Sequence, residues 1–360
     1  MYKEVDISIV GGGPGGMLLA YLLAKKGVTV LLLERTNELA RAFRGEHINE
    51  DGETILKSFE LYEAVEKRGL LKMEAVEYWQ KGEKFKTIFP NEMVGHLGIH
   101  VPQAHLLEAI LEQAEAYPTF EYQLNTRVTE LLQNDEGRYI GVKAKQGDME
   151  LTVMSHLVIG ADGRYSTVRK KAQIHPTIRK HGFDLLWARI PAPINYEPVI
   201  KMALVEGMQI ALFAQTNGYV QIGWHIEEGS YGELRKQPFE PFITKLVEAF
   251  PDLREVVQLH IQSWQDFVVL DVFSSQTECW GAEGLALMGD AAHTMTPTGA
   301  YGLNEALKDA VALAELIDEQ TIQRLELLTC ERQRKDEVTK LQALQREKEQ
   351  QFAAQFLVHV

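Results

Sequence analysis

Val5-Asp6-Ile7-Ser8-Ile9-Val10-Gly11-Gly12-Gly13-Pro14-Gly15-Gly16-Met17 is the stretch on which the fold turns. Val5 to Val10 is short and mostly apolar, and it breaks into a glycine cluster. Met17 to Lys26 then has helical composition, and Val28 to Leu33 is a second apolar run that ends at Glu34. Continuous Val, Ile and Leu without polar alternation is the pattern of a strand buried on both faces, as in a parallel sheet. The segment predicts a βαβ unit within the first 34 residues, at the centre of a covered sheet.

Gly11, Gly13 and Gly16 place G-x-G-x-x-G between that strand and that helix. Gly11 permits the tight turn, Gly13 lets the backbone approach a pyrophosphate, and Gly16 lets helix and strand pack closely. The helix N-terminus supplies N–H groups and a positive dipole to the phosphates. Glu34, about 20 residues on, is placed to accept hydrogen bonds from a ribose diol. The pattern predicts dinucleotide binding. FAD and NAD both carry an ADP moiety, so the fingerprint alone leaves both open.

Outward from this unit, Ala104 to Ala116 has helical spacing. Val128 to Leu132, Tyr139 to Ala144 and Glu150 to Val153 read as a β-meander, broken at Asp135-Glu136-Gly137 and Gln146-Gly147-Asp148. His156 to Gly160 reads as another buried strand. From Phe183 to about Leu270 the chain is strand-rich, with Trp187, Phe213, Tyr219, Trp224, Trp264 and Phe267 interleaved. Leu285 to Met288 returns to the buried type, before a long helix from about Leu303 to Glu319. From about Thr321 onward, Glu, Gln, Lys and Leu without Gly or Pro predict one or two helices in a packing or oligomer-contact role.

The 360 residues suit two packed domains, with 45% hydrophobic and 24% charged residues, as in a soluble enzyme. A net charge of −14 argues against nucleic acid and anionic lipid as partners. Cys279 and Cys330 are the only cysteines, which excludes a disulfide framework and a CxxC zinc site, and no spacing of acids and histidines suggests a metal. The start at Met1-Tyr2-Lys3-Glu4 shows no signal-peptide core, and no apolar run approaches the ~20 residues that cross a bilayer. A cytoplasmic protein is the expectation.

Two further segments choose the cofactor. Leu157-Val158-Ile159-Gly160-Ala161-Asp162-Gly163-Arg164-Tyr165-Ser166-Thr167-Val168-Arg169 leaves a buried strand and opens a helix. Leu285-Ala286-Leu287-Met288-Gly289-Asp290-Ala291-Ala292-His293 is followed by Pro297-Thr298-Gly299-Ala300-Tyr301-Gly302-Leu303-Asn304. With the glycine fingerprint, this chain resembles the flavoprotein monooxygenases of the para-hydroxybenzoate hydroxylase type, whose DG motif and GD motif stand in this order. The resemblance runs from about residue 5 to 319 and takes in Phe43-Arg44-Gly45-Glu46 and Val101-Pro102-Gln103.

The resemblance implies an α/β fold: a three-layer ββα, glutathione-reductase-like FAD-binding domain with an interleaved, mostly antiparallel β substrate domain. The FAD domain would comprise 1–72, 97–177 and 268–320, the substrate domain 73–96 and 178–267, and a C-terminal helical segment 321–360. FAD would be held tightly but without a covalent bond by Gly11, Gly13, Pro14, Gly15, Gly16, Glu34, Arg35, Arg44, Gln103, Val128, Asp162, Gly163, Gly289 and Asp290, with Pro297 and the loop Gly299, Ala300, Tyr301, Gly302 and Leu303. Asp290 would bond the ribityl chain. The Gly299 to Leu303 loop would offer N–H groups to the flavin's N1–C2=O edge, and Val128 would meet the adenine through its backbone.

NADH or NADPH would bind transiently at the surface, with Arg35, Arg41, Arg164 and Arg169 as nearby cations. The implied reaction is NAD(P)H-dependent monooxygenation of an electron-rich, aromatic small molecule with O2, through a flavin C4a-hydroperoxide. Trp187, Phe213, Tyr219, Trp224 and Tyr301 are candidates for the substrate pocket. His47 is the candidate catalytic base, because an imidazole there could take a substrate hydroxyl proton; members acting on hydroxypyridine-type rings resemble this sequence in carrying Gly-x-His-Ile. His293 reads as structural. Gly299-Ala300-Tyr301-Gly302 departs from the common Gly-Gly-Gln-Gly and bears on substrate shape. A flavin-dependent halogenase is the nearest alternative, grazed by Gly223-Trp224-His225-Ile226-Glu227; another FAD oxidoreductase or a non-catalytic FAD-fold protein stands further off. A homodimer is compatible with the sequence.

Overall fold

Three of the runs that the sequence marks as buried on both faces lie side by side at the centre of the larger sheet. In the computed structural model, which describes residues 1–39, 47–317 and 327–359, strand Tyr2–Val10 pairs in parallel with Met149–Gly160 on one side and Val30–Leu33 on the other. Leu285–Leu287 and Phe120–Gln123 extend this parallel core outward. Alternation along the strands sends Ile7, Ile9 and Leu32 to one face, against helices Pro14–Lys25, Gln103–Ala114 and Tyr301–Leu316. Val10, Leu31, Leu33 and Val158 face the other way, against strands Thr126–Gln133 and Tyr139–Gln146 and the start of Met149–Gly160. Helices, parallel sheet and meander make the three layers of the expected α/β fold.

Glu150 to Val153 and His156 to Gly160, read from sequence as two strands, are one strand of 12 residues. The polar interruption at Ser155 does not end it, because the Ser155 hydroxyl is buried and hydrogen-bonded at 2.9 Å to Ser8 on the neighbouring strand. A buried hydroxyl that finds a partner no longer opposes burial.

The second sheet has seven strands in the order Val268–Leu270, Phe183–Pro191, Tyr219–Glu227, Met208–Gln215, Val199–Val205, Ala75–Gln80, Glu83–Ile88. Every pairing is antiparallel except that of Val199–Val205 with Ala75–Gln80. Helices Phe239–Ala249 and Arg254–His260 cover one face. The chain passes between the two sheets along a ribbon, Pro176–Lys180 against Phe273–Thr277.

The C-terminal helix, Leu327–Gln351, packs on helix Tyr301–Leu316 and the loop before it, and reaches His181, which precedes strand Phe183–Pro191. Beyond it, Phe356 packs 5.9 Å from Tyr78 and 5.6 Å from Phe85 on the edge hairpin of the second sheet. Among the described residues, no helix is long and apolar enough to cross a membrane.

Candidate active site

The glycine turn and the DG motif are built against each other. A side chain on Gly11 (φ +111°) would strike the Ala161 carbonyl at 2.4 Å, and one on Gly16 would strike the Gly11 carbonyl at 2.2 Å. Gly13 is different. Its φ of −72° suits any residue, yet a Cβ there would meet no atom of the described residues within 4 Å. Neither backbone conformation nor packing within the described residues requires glycine at 13. Helix Pro14–Lys25 starts at this point with no side-chain cap, leaving first-turn N–H groups for an anion. Glu34 holds the turn from beneath, accepting from the Gly12 N–H at 2.8 Å and from the Thr36 hydroxyl at 2.7 Å.

Asp162 serves the motif internally. Its carboxylate accepts from the Ser166 hydroxyl at 2.5 Å and from the N–H groups of Thr167 at 2.6 Å and Val168 at 3.1 Å. Burial pushes its pKa up, and these bonds oppose that shift. Gly163 (φ +82°), with nothing where a Cβ would stand, is the part of the motif that borders open space. Arg169, considered above as a cation for NADH or NADPH, is corrected by the structure. It is buried, and its guanidinium donates to the carbonyls of Ala291 at 2.8 Å and Arg164 at 2.8 Å. It ties the DG motif to the GD motif. Arg164 reaches the Asp271 carbonyl and leaves its buried Nε without a hydrogen-bond partner, 3.9 Å from Asp290 Oδ2. Arg35 is exposed directly after Glu34, while Arg41 and the segment Phe43-Arg44-Gly45-Glu46 lie outside the described residues.

The GD motif is held from behind by a buried ion cluster. Asp309 accepts from the Gly289 N–H at 2.8 Å and from His293 Nε2 at 2.6 Å. Its other oxygen accepts from Arg334 Nε at 2.8 Å, and Arg334 Nη2 donates to Glu305 at 2.5 Å. Burial alone would raise the Asp309 pKa, but His293 and Arg334 hold it down to about 2. His293 is therefore an internal strut that also packs against Trp280 at 4.7 Å. Asp290 points the other way, half-buried, with no hydrogen bond to its carboxylate among the described residues. Gly302 faces the same space, since a Cβ there would lie 4.0 Å from Asp290 Oδ1.

The loop at Gly299 is unusual in its backbone. Gly299 (φ +74°) and Ala300 (φ +53°) are both left-handed, and Ala300 is the N-cap of helix Tyr301–Leu316. An alanine in that region is strained and persists only where its surroundings impose it. Asn304 supplies part of that constraint. Its amide donates to the Ala300 carbonyl at 2.9 Å and the His47 carbonyl at 3.2 Å, and its oxygen accepts from the Asn49 N–H at 3.1 Å. One side chain thus fixes the loop relative to strand His47–Ile48. The motif quoted above contains Asn304, but its role as a tie is visible only in three dimensions.

His47 sits edge-on to His100 with ring centroids 5.1 Å apart. His100 donates from Nδ1 to the Ala214 carbonyl at 2.7 Å, which leaves Nε2 as the acceptor nitrogen. That nitrogen and His47 Nδ1 are both buried without partners. Burial, then the neighbouring His100, pushes the His47 pKa down to about 3, and burial brings that of His100 to about 4. Phe213 lies 6.0 Å from His100 and 6.0 Å from Trp187. The structure therefore joins His47, His100, Phe213 and Trp187 in one path of ring contacts from strand His47–Ile48 to the second sheet.

The remaining pocket candidates are not on it. Trp224 points to the opposite face, stacked on Phe242 at 4.0 Å inside the core under the helices. Strand alternation explains this: Trp224 belongs with Ile222 and Ile226, whereas its neighbours Gly223 and His225 face the other way. Tyr219 lies exposed at a strand end beneath the Arg189 guanidinium, 4.2 Å from its ring. Tyr301 folds over Gly299 and accepts from Lys348 at 2.7 Å. Gln103 begins helix Gln103–Ala114, and Val128 is buried in the meander core.

A family model for the FAD binding domain matches residues 4–343. The chain is 33% identical to the 6-methylpretetramide 4-monooxygenase of Streptomyces rimosus, over 86% of this chain and 74% of that protein. It is 25% identical to the 3-hydroxybenzoate 6-hydroxylase of Klebsiella oxytoca, over 88% and 81%. The crystal structure of Pseudomonas aeruginosa PqsL in complex with 2-aminobenzoylacetate superposes with a TM-score of 0.81 at 20% identity, covering 98% of this chain and 96% of that one. With the open glycine turn, the internally braced DG and GD motifs and the parallel core already described, these matches show that the chain belongs to the FAD binding domain family and is one of its FAD-dependent aromatic monooxygenases.

Proposed function

We propose that the enzyme uses NADH or NADPH and O2 to hydroxylate an electron-rich aromatic small molecule in the space between the two sheets. The observation that carries the cofactor reading is Gly13: an uncapped helix N-terminus faces a volume that no described side chain fills. Gly11 to Gly16 and Gly163 would lie along the pyrophosphate, Glu34 at the ribose, Asp290 at the ribityl chain, and the N–H groups of Gly299 to Leu303 at the flavin edge. FAD, when bound, supplies the redox chemistry by taking a hydride from the nicotinamide and activating O2. The protein binds and orients the ring and keeps water out. The names of the two relatives above, both oxygenases of aromatic compounds, support the substrate class.

The purified protein should carry FAD, bleach under argon with NADH or NADPH, and consume O2 faster when a phenol, hydroxypyridine, quinolone or polyketide aromatic is its substrate. A colourless protein that neither takes up FAD nor oxidises either nicotinamide overturns this reading.

Within this function His47 is the group for the substrate hydroxyl. At neutral pH it is uncharged, the form that accepts a proton or a hydrogen bond, and its low pKa makes it a weak base. His47→Gln should leave flavin reduction intact while coupling to hydroxylated product falls roughly tenfold, with peroxide released instead; the effect is below the ~10²–10⁴ of a well-matched general base because so low a pKa makes a weak one. Stopped-flow reduction and product yield measured together decide this. Coupling in His47→Gln equal to wild type at every pH from 6 to 9 would make His47 a structural residue.

A further inference from the structure

The C-terminal helix Leu327–Gln351 presents one face to the cofactor loop. Gln342, Gln345 and Glu349 follow the i, i+3, i+7 spacing that aligns side chains along a helix. Gln345 is fully buried, and its amide donates to two carbonyls at once, Thr296 at 2.8 Å and Thr298 at 2.6 Å. These carbonyls bracket Pro297, immediately before the left-handed pair Gly299 and Ala300. One turn on, Glu349 accepts from the Thr296 hydroxyl at 2.7 Å and is held on its other oxygen by His181 at 2.6 Å. Lys348, on the exposed side, donates to the Tyr301 hydroxyl at 2.7 Å. Gln342 makes the same kind of double bond further upstream, to the carbonyls of Ser275 and Thr294 at 3.0 Å each.

We propose that Gln345 is a positioning residue for the flavin: by drawing the Thr296 and Thr298 carbonyls onto the C-terminal helix, it holds the strained Gly299-Ala300 turn so that its N–H groups face the cofactor. The physical reason is the strain itself. An alanine at φ +53° relaxes unless its flanks are fixed, and Asn304 fixes only the downstream flank. Gln345 fixes the upstream one. The proposal rests on the reading that this loop borders the flavin.

The test is a set of full-length variants stripped of FAD and titrated with it, reading affinity from flavin fluorescence and the visible band of the bound state. Gln345→Met keeps the volume and the helix and removes both donors; FAD affinity should fall about tenfold, with an altered flavin spectrum. Gln342→Met removes an equivalent pair of bonds outside the loop, and FAD affinity should stay within about twofold of wild type. Adding Ala300→Gly to Gln345→Met removes the strain that needs restraint, and FAD affinity should recover to within about threefold.

A general packing role would make the two glutamine variants equal and give no recovery; either result overturns the proposal. Unchanged affinity in Gln345→Met overturns it as well. If Gln345→Met does not fold, Gln345→Asn, which keeps an amide but draws it back from both carbonyls, replaces it: about a threefold loss of FAD affinity supports the clamp and no loss overturns it. Gly302→Val separates the clamp from the reading beneath it, because its methyls would enter the space beside Asp290. If that variant binds FAD normally, the loop does not border the flavin; if it loses FAD while Gln345→Met does not, the clamp alone fails.

Discussion

Gly13→Val should bind FAD at least a hundredfold more weakly than wild type while the flavin-free protein unfolds within about 4 °C of it. The asymmetry follows from what surrounds position 13. The backbone there is extended at φ −72°, so valine imposes no conformational strain, and no atom of the described residues lies where its Cβ would go. The cost to the apoprotein is the poorer N-cap, about 1 kcal/mol, which is a few degrees for a protein of this size. The cost to the complex is larger. A branched side chain over the helix N-terminus keeps a pyrophosphate from the N–H groups of the first turn. Two charge-assisted bonds at roughly 1.5–3 kcal/mol each amount to a factor of a hundred or more. Titration of both apoproteins with FAD, beside their melting curves, makes the measurement. Wild-type affinity in Gly13→Val would place the dinucleotide elsewhere.

Arg334→Met should lower stability by about 3–5 kcal/mol, the range for removing one partner of a buried ion cluster. Arg334 lies between Asp309 and Glu305, both with side chains no more than 2% exposed, and a third bond joins it to Glu337. Methionine matches its length and returns no charge, so two carboxylates stay buried with less compensation. The effect should also appear in acid. Asp309 has a folded pKa of about 2, below its ordinary value of 3.8, so its contribution is complete above pH ~4 and lost as pH falls towards 2. Removing Arg334 raises the folded pKa and narrows that window, so the variant should unfold at higher pH than wild type. Since Asp309 also holds the Gly289 N–H, FAD retention should fall with stability. A melting temperature unchanged within 2 °C would show that the cluster is not stabilising.

These two residues differ in how far the sequence announces them. Gly13 is legible because its partners are local: strand, turn, helix and the acid at 34 lie within one βαβ unit, and spacing alone implies their geometry. The GD motif is legible in the same way, as a short contiguous run. Arg334, Gln345 and Asn304 are not, because their roles rest on contacts 25 to 29, 47 to 49 and 255 to 257 residues away in sequence. A helix rich in Glu, Gln and Lys reads as a packing or oligomer-contact element, and only the structure shows that its partner is this loop. Trp224 shows a different limit. Period-two alternation separates the two faces of a strand without saying which is covered by helices and which faces the other sheet, so an aromatic on either looks like a pocket residue. Asp162 shows a third, since a carboxylate aimed at a ligand and one that caps its own helix leave the same letter in the motif.

The parallel core has an order of assembly written into its connectivity. Val158 on its central strand pairs with Leu285, and most of the second sheet, from Phe183 to Leu270, is threaded between them. At translation speeds of about 5–20 residues per second, the central strand waits roughly 6–25 s on the ribosome for its outer neighbour. During that wait its apolar edge is unpaired, while the inserted strands are already available to pair with one another. The inserted strands are therefore free to pair before the nucleotide-binding sheet gains its outer strand, Leu285–Leu287. A chaperone that shields one strand edge for those seconds has more to offer this protein than one that acts on the finished chain.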